Sequence, residues 1–147
     1  MSMRRVLKKL LWLLGHLWAL PVTLLGLLIA LPFARLHSVD AEGLLHFVAR
    51  PERWLGRYLL RSSILAFTLG ATVTYADAGG LQQPTLVRHE RAHVVQTLVL
   101  GPLFLPLYGL ASLWQFVRGR HPYFDNVFER QAHAAEASAR PPLRLVR

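Results

Sequence analysis

The order of apolar and polar positions divides the chain into blocks. From Leu10 to Ala34 the only clearly polar side chains are His16 and Thr23. At ~1.5 Å per residue this run exceeds the ~20 residues a helix needs to cross a bilayer. It is too long for a signal-peptide core, and Ala30-Leu31-Pro32-Phe33-Ala34-Arg35 is a poor cleavage site. The pattern predicts a retained membrane anchor, either transmembrane or membrane-embedded. Pro21, near its middle, predicts a kink or a short hairpin, and Pro32 marks its end.

Beyond the anchor, Ala41 to Leu60 carries helical periodicity: Leu44, Leu45, Phe47 and Val48, then Trp54, Leu55, Tyr58 and Leu59, with Pro51 dividing the two groups. Ser63 to Tyr75 is rich in β-formers and alternates over Ala71-Thr72-Val73-Thr74-Tyr75, which predicts a strand before the turn Asp77-Ala78-Gly79-Gly80. Pro84-Thr85 predicts a helix start with Thr85 as N-cap, and Gly101-Pro102 predicts its end. Leu103 to Val117 is apolar again but, at ~15 residues, short for a span. It predicts a helix in the membrane interface or against its predecessor, with Tyr108 and Trp114 as interfacial aromatics. Asp125 or Asn126 then caps a last, Ala-rich helix. The boundaries are a basic N-terminus at 1–9, the anchor at 10–34, one domain at 35–140 and a flexible basic tail at 141–147. The fold class is mainly α with a short β element.

Charge sharpens this picture. The net charge is +9 over 147 residues. The arginines are scattered through hydrophobic sequence without a recognition motif or a zinc-finger spacing, so no nucleic-acid partner is expected. Anionic phospholipid is the better match, each basic residue near such a surface contributing ~1 kcal/mol. Arg4, Arg5, Lys8 and Lys9 precede the anchor and Arg35, Arg50, Arg53, Arg57 and Arg61 follow it, so the charge does not fix an orientation. A single crossing and a re-entrant segment both remain open. The chain has no cysteine, so disulfide logic does not choose a compartment.

Candidate chemistry sits in the helix predicted after Pro84. His89-Glu90-Arg91-Ala92-His93 is an H-E-x-x-H motif. Two imidazoles four residues apart lie on one helix face and can share a metal ion, with Glu90 beside them to take a proton from water. The surrounding Leu86, Val87, Ala92, Val94, Val95 and Leu98 leave almost no other polar surface on that helix. Surface histidines on a half-exposed helix are the bland alternative. Arg88, Glu90 and Arg91 argue against an intramembrane protease, since three charges in one turn are expensive in hydrocarbon.

With Asn126-Val127-Phe128-Glu129-Arg130-Gln131-Ala132 further on, the motif resembles the zincin metallopeptidases whose third ligand is Glu. Within them it is similar to small bacterial proteins carrying H-E-x-x-H-x-x-Q and a later N-x-F-E-R-x-A. The resemblance covers Phe67 to Glu136. It implies a zincin-like domain with Zn2+ held by His89, His93 and Glu129, Glu90 as general base, and hydrolysis of peptide or amide bonds. It also implies an edge strand within Ile64 to Tyr75 that holds an extended substrate, and a bacterial cytoplasmic (inner) membrane location. One position departs from the better-studied members: four residues past Glu129, where they carry an Asp that supports a zinc-bound His, stands His133. Gln96, three residues past His93 on the same side of the helix, is a candidate to hydrogen-bond and orient a metal-ligating side chain. His121, Tyr123, Tyr108 and His133 are unranked candidates for stabilising an oxyanion, and His133 or Glu136 would be the fallback ligand if Glu129 were not one. Two readings from other classes stand beside the enzyme: a metal-stabilised or metal-free membrane scaffold, and a lipid- or amphiphile-binding module.

Overall fold

In the computed structural model, residues 3–138 are described; the tail at 141–147 lies outside them. The N-terminal apolar run breaks where Pro21 predicts. Helix α1 (Met3–Trp18) gives way at Ala19 to helix α2 (Leu20–Ala30), with an angle of 60° between them and Pro21 in the first turn of α2. Proline has no N–H and its ring collides with the carbonyl four residues back, so α1 cannot continue through it. The run predicted as an anchor is therefore not one straight helix. α1 is amphipathic, with Arg4, Arg5, Lys8 and Lys9 all exposed. α2 is apolar all round: Val22, Thr23, Gly26 and Ala30 are buried on one side, while Leu24, Leu25, Leu28 and Leu31 are exposed on the other.

The inner face of α2 lies against a four-stranded mixed sheet. Strands β1 (Ala34–Val39), β2 (Leu45–Ala49), β3 (Ala66–Leu69) and β4 (Thr72–Tyr75) are ordered β1-β2-β4-β3. β1 pairs antiparallel with β2, with a bulge between Leu36 and Ser38; β2 pairs parallel with β4, and β3 antiparallel with β4. The β element is thus larger than expected, and two predicted features change. Leu44 to Val48, read as the first half of a helix, feeds strand β2, and only the second half is helical, as α3 (Trp54–Arg61). A short continuous apolar run has no periodicity that separates helix from strand, and β2 lies inside the sheet with four of its five residues buried. The strand expected over Ser63 to Tyr75 is a hairpin, turned at Gly70, whose φ is +64°. The Thr23 hydroxyl accepts a hydrogen bond from the Ala71 N–H at 3.0 Å and locks that turn onto α2.

The H-E-x-x-H helix, α4 (Pro84–Leu100), crosses the sheet beside β3. Its N-cap is Gln83 rather than Thr85: Pro84 occupies the first helical position, where a missing N–H costs nothing. Gly101, with φ +57°, ends it; a Cβ there would fall 2.3 Å from the Trp18 indole nitrogen, so the C-terminus of α1 is seated on this turn. A short 3₁₀ turn leads into α5 (Phe104–Val117). Together Pro84 to Val117 form a 34-residue rod that is long and apolar enough to cross a membrane by length and composition. Its first half is the central helix of the domain, since His89, Glu90, His93 and Thr97 point inward and are buried. Helix α6 (Val127–Ala137) packs back along α4 and begins as expected: the Asn126 side chain accepts from the Phe128 N–H at 2.9 Å and donates to the Tyr108 carbonyl and the Ser112 hydroxyl.

Candidate metal centre

Helical spacing sets the first two groups. One turn of α4 separates His89 from His93, and their ring centroids are 4.8 Å apart. α6 brings Glu129, in its first turn, against both. All three side chains are buried, with Glu129 only 2% exposed. His89 Nε2 and His93 Nε2 are 3.1 Å apart, and the two oxygens of Glu129 lie 3.3 Å from His89 Nε2 and His93 Nε2 respectively. Ligands at 2.0–2.1 Å around a tetrahedral ion are separated by about 3.3–3.4 Å. Each of these separations is close to one edge of such a tetrahedron, the two imidazoles being met by different oxygens of Glu129.

The surrounding hydrogen bonds decide where the protons are. Gln96 Nε2 donates to the Phe128 carbonyl and to Gln131 Oε1, both at 3.0 Å, so its Oε1 is left facing His93 Nδ1 at 2.9 Å and must accept. His89 Nδ1 donates to Glu136 Oε1 at 2.7 Å. Each ring therefore carries its hydrogen on Nδ1 in the neutral form and turns a bare Nε2 lone pair toward the centre. Glu129 Oε1 receives the Tyr108 hydroxyl at 2.6 Å, whereas Oε2 is buried without a donor. In that neutral form two imidazole lone pairs and a carboxylate oxygen face one another. This group could hold a metal ion. Burial alone would push the Glu129 carboxyl up. The adjoining His89, His93, Tyr108 and Tyr123 outweigh it and hold the group well below the usual carboxylate range.

Glu90 stands beside the triad. Its Oε2 accepts the Thr68 hydroxyl of β3 at 2.7 Å. Burial pushes its carboxyl up, more than the Thr68 hydrogen bond and the neighbouring His93 and His89 pull it back. A cavity of about 690 Å³ opens over Glu90 and the triad, walled by Leu65 and Phe67 on the β3 side, Leu86 of α4, Phe104 of α5, and Tyr123 and Phe124 of the connection into α6.

The remaining sequence candidates separate. Gln96 hydrogen-bonds His93 and ties it to α6. His133 and Tyr123 line the cavity; His133 Nδ1 donates to Glu136 Oε1 at 3.1 Å, which leaves its buried Nε2 without a partner. Tyr108 is not an interfacial side chain, because its hydroxyl is bound to Glu129. His121 is not brought to the site: its Nδ1 accepts from the backbone N–H groups of Tyr123 and Phe124. Glu136 supplies the carboxylate that His133 cannot. It lies seven residues past Glu129, two turns on the same helix face, and accepts from both His89 and His133. That spacing was readable; Thr68 was not, since only the packing of β3 on α4 brings it to Glu90.

No family model matches the chain, and no curated protein or solved structure matches it either.

Proposed function

We propose that the protein is a membrane-attached zinc hydrolase acting on peptide or amide bonds, with His89, His93 and Glu129 as metal ligands and Glu90 as general base. The observation that carries this reading is the convergence of two bare imidazole nitrogens and an undonated carboxylate oxygen on one point, next to a buried carboxylate and under an open cavity. A bound zinc ion supplies Lewis acidity, polarising a carbonyl and acidifying a water. Glu90 is fixed by Thr68 through one oxygen and has the other for a proton, which it takes from water and later gives to the leaving amine. Glu136 and Gln96 hold the two imidazoles in the tautomer that coordination needs. β3 is an edge strand beside Glu90, and its unpaired side can align an extended chain across the cavity. Tyr123 and His133 face the same space. The exposed leucines of α1 and α2, with the basic N-terminus, support attachment to an anionic bilayer, and a bacterial inner membrane remains the location suggested by the resemblance.

Metal analysis of the purified protein is the test. About one zinc per chain is expected in wild type and in Glu90→Gln, with loss in His93→Ala and in Glu129→Ala. Peptide hydrolysis by wild type and its loss in Glu90→Gln by ~10²–10⁴-fold would distinguish the enzyme from a structural clamp. The clamp is the second reading, favoured by Gln96 and Glu136, which tie α4 to α6 whether or not chemistry follows. A Glu90→Gln variant with undiminished activity, or wild type without metal, refutes the hydrolase.

A further inference from the structure

Helix α5 has no charged face. From Phe104 to Phe124 the sequence contains no acidic residue. Its first turns are covered: Phe104 is buried, and the Tyr108 ring stacks on Phe128 at 6.1 Å. The distal half is not. Leu110, Leu113, Trp114, Phe116 and Val117 are each more than half exposed, up to 70% for Val117. Ser112 and Gln115 are half-buried, Ser112 against Asn126, whereas nothing among the described residues covers these five apolar side chains. At its end the chain turns through Gly119, with φ +69°, and exposes Arg118, Arg120 and His121 before Tyr123 and Phe124. The Arg118 guanidinium lies 5.4 Å from the centre of the Trp114 ring.

We propose that this tip, Leu110 to Phe124, is a wedge inserted into one leaflet of an anionic phospholipid bilayer. Leu110 to Val117 is about 12 Å of helix, far short of a span, and with Arg118 and Arg120 at its end it lies along the headgroup boundary with its apolar side chains in the leaflet. Aromatic rings with arginines beside them are the side chains that settle at the headgroup boundary, and two arginines without an ion pair among the described residues select anionic lipid. The same charges repel a second copy of the tip. Asp125, whose carboxylate accepts the His121 N–H at 2.9 Å, makes no ion pair with either arginine. Tyr123 and Phe124 belong both to the wedge and to the wall of the metal cavity. Insertion therefore turns the mouth of that cavity toward the lipid, so that an apolar segment leaving the bilayer is the substrate class that reaches it. The wedge does not depend on the metal; the substrate class rests on the hydrolase reading.

The chain has no cysteine, so a single introduced thiol can be labelled without ambiguity. Full-length Leu113→Cys and Phe116→Cys carrying an environment-sensitive fluorophore are reconstituted with vesicles of phosphatidylglycerol and phosphatidylethanolamine. A blue shift and a several-fold gain in emission are expected at both sites, with quenching by spin-labelled lipid. Ala78→Cys, exposed at the other end of the Pro84–Val117 rod, should show neither. Charge reversal with Arg118→Glu and Arg120→Glu should reduce the Leu113 response by at least half. Because α1 and α2 can hold the protein on the vesicle in every variant, the local emission and not co-sedimentation is the readout. No response at either site, a response without lipid that grows with protein concentration, or one indifferent to lipid charge and to the arginine reversals overturns the proposal. Zinc content measured on the same samples reports separately on the hydrolase.

Discussion

Gln96 has two donors and one acceptor, and the partners of its donors fix what its acceptor does. With Phe128 and Gln131 taking the amide hydrogens, the Gln96 carbonyl holds His93 with Nε2 free. Glu136 does the same for His89. Removing either support leaves the ligands present and their orientation loose, so Gln96→Ala and Glu136→Ala are each expected to weaken zinc affinity by ~10–100-fold in chelator competition. Unchanged affinity would reduce both residues to helix packing. Glu90 gives a prediction of the opposite sign on stability. Its folded-state carboxyl is raised, so as pH climbs from the ordinary carboxylate range toward neutrality the native state loses stability relative to the unfolded chain. In metal-free protein at pH 7, Glu90→Gln should therefore melt at a higher temperature than wild type, and the difference should vanish near pH 4. Glu129 runs the other way. Its lowered carboxyl contributes stability above the ordinary carboxylate range, and that contribution is lost as pH falls below it.

At the scale of elements, Gly70 is the point where the β3–β4 turn meets α2. Its φ of +64° is a left-handed conformation, and a Cβ would lie 2.4 Å from the Thr23 backbone nitrogen. Gly70→Ala thus meets both a conformational penalty and a backbone that cannot step aside, for a cost of at least about 2 kcal/mol, readable as a lowered denaturation midpoint. A near-wild-type midpoint would mean that α2 is not docked on the sheet in solution. β2 shows how an element escapes a sequence reading. Its apolar run was visible, but strand rather than helix follows from its place inside the sheet, between β1 and β4, which no local window contains. α2 shows the converse: Pro21 marked the break in advance, because its effect is local and steric.

For the whole molecule, the candidate metal centre joins α4 to α6, and Glu129 is the buried charge of that joint. A cation that binds only the folded state adds stability by mass action, about 2.7 kcal/mol at a hundredfold excess over Kd. Chelation should accordingly lower the melting temperature of wild type and leave His93→Ala unmoved. A chelator-independent melting curve would place the ion, if any, elsewhere.

The sequence by itself determined the groups whose geometry is set within a few turns of one helix. His89, Glu90 and His93 share a helix because the chain from Leu86 to Leu100 is mostly apolar and has no proline or glycine to break it, and Asn126 starts α6 because its side chain can cap it. Periodicity carries that information, and it also carried the two exposed apolar stretches and the excess of basic residues. Whether Glu129 faces the imidazoles, whether Glu136 or His133 stands behind His89, and which strand reaches Glu90 were decided by the packing of α6 and β3 on α4. Those contacts join residues 22 to 47 positions apart in the chain. No short-range pattern specifies them, because their energy lies in burying apolar faces of separate elements together and only secondarily in the polar groups that this burial brings into reach.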